Sequence, residues 1–273
     1  MRTPVIAVWA AVLLTYGVST GIAMDPKAGA GPSAGAEKSL KLDMAPDSVD
    51  DMYDSCKDEM YPKLQKYLEN EKKTNQTFKK AWESSEQYQQ NHKNLKPPNM
   101  KEQHIVAIHC YTNNENKVYL DFNTAVRTQG PKYNSTFRYH ALHFLLTDAI
   151  QTLKGEEKVP CVTVYRRTRS TFKQDVNTEI RFGSFISTSM GQYANKSYGE
   201  TTCFKIETCF GADISSYSAH TDEREVLIPP YEVFKVVGVK KSPMHKDLPC
   251  EVEYELKSTN KPVSNLNCAL IKK

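Results

Sequence analysis

Near residue 158 the chain changes its hydrophobic period, and that change limits the folds open to it. Upstream, from Ser48 to about Leu95, apolar positions such as Met52, Tyr61, Leu64, Tyr67, Leu68, Phe78 and Trp82 recur at steps of three and four. That spacing predicts helices with one buried face. Pro97 and Pro98 interrupt it. IVAIHCYT follows, then KVYLDFNTAVRT, which places Val118, Phe122 and Val126 on one helical face. TFRYHALHFLLTDAIQTL is a further helical stretch that Gly155 can end. Downstream come VPCVTVYRR, IRFGSFISTS, TCFKIET, REVLIPPYEVFKVVGV and LPCEVEYELK. They are short, β-branched or aromatic, and punctuated by turn residues, as antiparallel strands are. A helical half followed by a β-rich half predicts an α+β fold.

The two ends bear on compartment. Val5 to Leu14, VIAVWAAVLL, follows Arg2 and precedes small residues. This reads as a secretory signal spanning 1–23, cut between Ser19 and Ala23. The apolar run is too short for a membrane span, which needs about 20 residues. Residues 24–45 begin MDPKAGAGPSAGAEKSL, a leader with little to bury and expected to be flexible. One unit, 46–270, should follow it. The C-terminal NLNCALIKK lacks the hydrophobic tail of a lipid-anchor signal. A secreted, extracellular protein without a membrane anchor is therefore expected.

Secretion makes the cysteines at 56, 110, 161, 203, 209, 250 and 268 disulfide candidates. No CxxC pair suggests zinc, and an odd count of seven leaves at least one thiol unpaired within the chain. Asn75, Asn134 and Asn195 begin N-x-S/T triplets and are glycan candidates. A formal net charge of +4 is too small to point to nucleic acid.

Many common sites are absent: there is no GxGxxG, Walker loop, HExxH or GxSxG. His140 and His143 share a helical stretch but lack a nearby third ligand, so packing or surface roles suit them better than a metal. Three signals remain in the β half. Arg166, ending a buried strand, could grip a diphosphate in two-pronged fashion, or be a surface cation beside Arg167 and Arg169. Strand alternation puts Ser187 and Ser189 on one face and Thr188 on the other, or the trio is an ordinary polar strand end. Period two puts Glu223 and Glu225 on one side, as paired acids or as a solvated charged turn. Paired acids can divide labour, one steadying a sugar cation and the other handling a proton or orienting a nucleophile.

Taken together, Arg166, then Ser187-Thr188-Ser189, then Glu223-Arg224-Glu225 resemble the Arg-Ser-Glu signature of the arginine-specific vertebrate ecto-mono-ADP-ribosyltransferases. The likeness runs from about Met44 to Cys268, through AIHCYTNNENKVYLDFNTAVR, VYRR, RFGSFISTS and TCFGADISSYS.

That resemblance implies a helical half packed on a two-sheet β core with NAD in the cleft between the sheets. NAD would be a consumed substrate, with no prosthetic group and no metal. ADP-ribose would pass to arginine side chains of extracellular or cell-surface proteins, and nicotinamide would leave. Arg166 would contact NAD, Ser187 would hold the nicotinamide ribose, and Glu225 would be the catalytic carboxylate. Glu223 would position the incoming guanidinium. The family usually has Gly where this chain has Arg167, a position whose backbone contacts the nicotinamide carboxamide. The resemblance pairs Cys56 with Cys268 and Cys161 with Cys209. A Cys203–Cys250 bridge is one option for the rest, leaving Cys110 as a buried thiol. A monomer is expected. An NAD glycohydrolase of the same fold and a catalytically silent secreted binding protein are the alternatives.

Overall fold

The computed structural model describes residues 40–93, 99–221, 223–242, 244–245 and 247–271. The signal, most of the leader, and Pro97 and Pro98 lie outside them.

After a two-residue strand, β1 (Leu40–Lys41), come five α-helices: α1 (Lys57–Thr74), α2 (Gln76–Asn91), α3 (Glu102–Thr112), α4 (Val118–Thr128) and α5 (His140–Glu156). Their inward residues recur at helical spacing, as in Met60, Leu64 and Leu68 of α1 or Phe78 and Trp82 of α2. Helix α5 is the spine: twelve of its 17 residues are buried. It runs through Gly155, the predicted stop, to Glu156. Its N-cap, Tyr139, offers no side-chain cap. Glu71 of α1 supplies it from outside, its Oε1 accepting the Ala141 N–H at 2.7 Å. An unmet helix N-terminus is thereby satisfied by a neighbouring helix. His140 and His143 pack here. His140 Nε2 meets the Tyr133 carbonyl at 2.7 Å, while His143 sits between the Val49 carbonyl and the Tyr53 hydroxyl.

The rest is β structure. Strands β2 (Val162–Thr168), β4 (Glu179–Ile180), β5 (Ile186–Met190), β6 (Thr202–Thr208), β7 (Ala212–Asp213), β8 (Glu225–Ile228), β9 (Phe234–Lys241) and β10 (Val252–Ser258) form a sheet in the order β4-β9-β10-β6-β2-β5-β8-β7. The run REVLIPPYEVFKVVGV is two strands, since Pro229 and Pro230 separate β8 from β9.

The expected two-sheet core thus takes another form, a single hydrogen-bonded ladder. The join between its parts is narrow: β2 and β5 pair only at Val164↔Met190 and Tyr165↔Ser189, whereas β2 and β6 pair along seven positions. Beyond Tyr165 the strands part, and the site lies where they part.

A second sheet has two strands, β1 (Leu40–Lys41) paired with β3 (Phe172–Lys173). Residues read as leader are therefore engaged from 40 onward. Arg181 holds the stretch after β1 through the Met44 and Ala45 carbonyls and meets Asp50 at 2.7 Å. The same guanidinium reaches the Val263 carbonyl, and Asp50 accepts from Leu266 N–H and Asn265 Nδ2. The two ends of the described chain meet on this ion pair.

Three disulfides are formed: Cys56–Cys268, Cys161–Cys209 and Cys203–Cys250. Cys110, on α3, is a buried free thiol whose pKa burial pushes far up.

Candidate active site

Strand β5 carries the serines, and its register fixes where they point. Ser189 lies opposite Glu225 and Thr188 opposite Val226. Paired residues share a face, so Ser187, Ser189 and Glu225 face one way and Thr188 the other. Thr188 spends its hydroxyl on the Val226 carbonyl at 2.7 Å, which ties β5 to β8. All three serine and threonine side chains are buried.

Arg166 comes from β2, just past the last β2–β5 pair. Only 5% exposed, it donates from Nη1 to the Ser187 carbonyl at 2.9 Å. A side chain thus spans the two strands where their backbones have separated. Arg167 follows and, by alternation, points the other way. Its guanidinium lies 5.6 Å from the centre of the Tyr193 ring and 3.4 Å from the Pro249 carbonyl. Its backbone pairs with Cys203 inside the ladder, and its φ is not in the left-handed region. Nothing in that conformation requires the family's usual Gly.

Glu225 opens β8 and is fully buried. Burial raises its carboxyl pKa; Ser187, Ser218 and the Arg166 guanidinium pull it back down, and Asp213 adds a further push upward. Ser218 donates to Oε2 at 2.8 Å, while Oε1 makes no hydrogen bond of normal geometry among the described residues. The hydroxyls of Ser187 and Ser189 are likewise buried without such a bond. Three buried polar atoms on one face, none with a hydrogen bond of normal geometry among the described residues, suit a polar ligand that would complete them.

Glu223 stands outside the strand, so strand alternation does not relate it to Glu225. The residue between them, Arg224, has φ +47°. This left-handed turn, uncommon for a side-chain-bearing residue, sets the pair's geometry. Arg224 still accepts the Met190 N–H at 3.0 Å, which anchors the turn to the end of β5. Glu223 is half-buried and faces a cavity of about 540 Å³ with Tyr198, whose hydroxyl meets Oε1 at 3.4 Å. The remaining wall is Ser189 to Asn195 and Arg224. Gly199 holds the far end of this loop: its φ is +132°, and a Cβ there would lie 2.3 Å from the Thr168 backbone.

Asn195 is exposed on this wall, and Asn134 is exposed in a turn after α4. Asn75 is committed: Oδ1 caps α2 at Phe78 N–H, and Nδ2 donates to the Tyr139 hydroxyl at 2.8 Å. Ser218, Tyr193 and Tyr198 are site residues that the sequence reading missed. Tyr193 and Ser218 lie in irregular chain and Tyr198 ends a single turn of 3-10 helix (Lys196–Tyr198), so no long period signals which way these side chains point. Among the described residues, no group of His, Cys, Asp or Glu is gathered as metal ligands.

Comparison with known proteins bears on this arrangement. The family model for NAD:arginine ADP-ribosyltransferase matches residues 42–259. Ecto-ADP-ribosyltransferase 5 of Mus musculus is 36% identical over 242 residues, which are 85% of this chain and 76% of the relative. The erythroblast NAD(P)(+)--arginine ADP-ribosyltransferase of Gallus gallus is 37% identical, over 75% of this chain and 69% of its own. The GPI-linked NAD(P)(+)--arginine ADP-ribosyltransferase 1 of Mus musculus is 35% identical, over 73% and 66%. Among solved structures, the eucaryotic mono-ADP-ribosyltransferase ART2.2 superposes with a TM-score of 0.68 at 32% identity, over 84% of this chain and 98% of that one. A mutant of ART2.2 has also been solved in complex with NAD. With its signature arginine, serine and glutamate gathered at one break in a sheet, the chain belongs to the NAD:arginine ADP-ribosyltransferase family.

Proposed function

We propose that the protein transfers ADP-ribose from NAD to the guanidinium of arginine side chains on extracellular or cell-surface proteins, releasing nicotinamide. The observation that carries this is the convergence of Arg166, Ser187 and Glu225 where β2 and β5 part, with Glu223 on the adjoining cavity wall.

The chemistry follows from the residue types. The bond between the ribose C1′ and the nicotinamide nitrogen breaks, and its electron pair leaves with nicotinamide. Positive charge grows on the ribose, as in glycoside cleavage. Glu225 stabilises that charge as a carboxylate and accepts from the ribose 2′-hydroxyl. The planar, multi-donor guanidinium of Arg166 is the residue type that suits a diphosphate. The acceptor guanidinium is protonated at neutral pH and is a poor nucleophile. Glu223 draws it in by charge-assisted hydrogen bonds, and one guanidinium proton is lost as the new C1′–N bond forms. Water can replace the acceptor, so NAD hydrolysis accompanies transfer. Arg167 in place of the family's usual Gly is the feature that favours a silent protein, and its ordinary strand backbone weakens that reading. The protein is secreted, with 1–23 as its signal, acts as a monomer without a metal, and residues 46–270 are its catalytic unit.

Labelled NAD with the small guanidine agmatine separates the two reactions. Glu225→Gln should abolish both. Glu223→Gln should lose transfer at least tenfold more than hydrolysis. Substantial transfer by the Glu225 variant would overturn the assignment, and equal losses in the Glu223 variant would overturn the split of roles.

A further inference from the structure

We infer that Ser218 is a positioning residue that aims the Glu225 carboxylate through its hydroxyl hydrogen bond. The inference rests on Glu225 as the catalytic acid.

Ser218 is fully buried, and its hydroxyl donates to Glu225 Oε2 at 2.8 Å. Ser218 Oγ in turn accepts the His220 backbone N–H at 3.1 Å. A backbone N–H can only donate, and a serine hydroxyl has one proton to give. The His220 N–H therefore occupies a lone pair and turns the single hydroxyl proton toward the carboxylate.

Helix α3 holds the segment in turn. The Ala219 N–H donates to Thr112 Oγ1 at 2.9 Å. Thr112 has already spent its own proton on the Ile108 carbonyl at 2.9 Å, so towards Ala219 it is an acceptor. The Ser218 N–H meets the Ile214 carbonyl at 2.9 Å, and the Asn114 amide meets His220 Nε2 at 2.9 Å. Contacts from the helical half thus fix a turn whose hydroxyl reaches the fully buried side chain of Glu225.

The groups around Glu225 give the direction of the effect. Arg166 from β2 and the hydroxyls of Ser187 and Ser218 favour the carboxylate. Burial and Asp213 from β7 oppose it. Tyr111 of α3 stands behind as a neutral phenol, its pKa pushed up to about 12. Taking away the Ser218 donor leaves burial less opposed, so Glu225 should titrate at higher pH.

The test is the pH profile of NAD hydrolysis and of transfer to agmatine, with kcat and KM separated. Ser218→Ala should lower kcat of both reactions about tenfold or more near neutral pH, with KM for NAD little changed. The acid limb of kcat/KM should move to higher pH. Ser218→Thr, which keeps the hydroxyl, should lie closer to the parent protein. Thr112→Val, remote from the carboxylate, should move the limb the same way by less, and covers the case of a poorly folded Ser218→Ala. An acid limb unmoved in the folded variants would overturn the role. An active Glu225→Gln protein would instead overturn the reading of Glu225, so the two failures are distinguishable.

Discussion

Arg166 and Arg167 are neighbours in a strand, yet one crosses the break to the Ser187 carbonyl and the other runs to Tyr193. Both are nearly fully buried. Two nitrogens of Arg167, Nε and Nη1, have no partner among the described residues. Its extended backbone already serves, so Arg167→Gly should leave the KM for NAD within about threefold of the parent value while lowering Tm. Steady-state kinetics on NAD hydrolysis would check it; a tenfold fall in KM would mean that the arginine obstructs binding. The signature residues were legible through their order and their resemblance to the family signature; strand alternation by itself tells only that Ser187 and Ser189 share a face. Glu223 was legible as a residue but not in its geometry. No pattern announces that Arg224 will take a left-handed turn.

Among the elements, long periodic stretches read true. Val118, Phe122 and Val126 are the buried stripe of α4, as their spacing predicts. Sheet topology was less open to reading. Strand β10 pairs parallel with β6 and antiparallel with β9, a choice made by tertiary packing and not by any local period. The α2 cap yields a prediction of its own. Asn75 uses both ends of its side-chain amide, on Phe78 and Tyr139, so a sugar there would break the Tyr139 contact. Asn134 and Asn195 are exposed. After expression through a secretory route, glycopeptide mass spectrometry should find sugar at Asn134 and Asn195, and Asn75 bare. Heavy occupancy of Asn75 would contradict the cap.

At the scale of the whole molecule, buried titratable groups, histidines and carboxylates alike, shape the response to acid. His109 of α3 stacks on Tyr88 of α2 at 3.9 Å and meets the Ser85 hydroxyl, and burial lowers its pKa from 6.5 to about 4. A base depressed on folding contributes stability that is present above 6.5 and lost as pH falls towards 4. The loss for this group is at most about 3 kcal/mol. Asp51 acts in the opposite sense, since burial lifts it to about 6, so a difference between variants isolates the histidine. His109→Gln should be less stable than the parent protein at pH 7, with the gap closing by pH 4 in urea unfolding. A gap independent of pH would remove His109 from the account.

The closure of the chain upon itself has a mechanical meaning. Cys56 and Cys268 are joined, and beside that bond Asp50 holds Asn265 and Leu266, with Arg181 bridging Asp50 and the Val263 carbonyl, so the same two segments are knotted again. A load applied between the ends of the oxidised protein would strip the knot and then reach a covalent bond. It would not pass along the sheet, where β2 and β5 share two pairs and the break between them holds the site. A tether attached at one end could therefore tug on the protein without prising that seam apart.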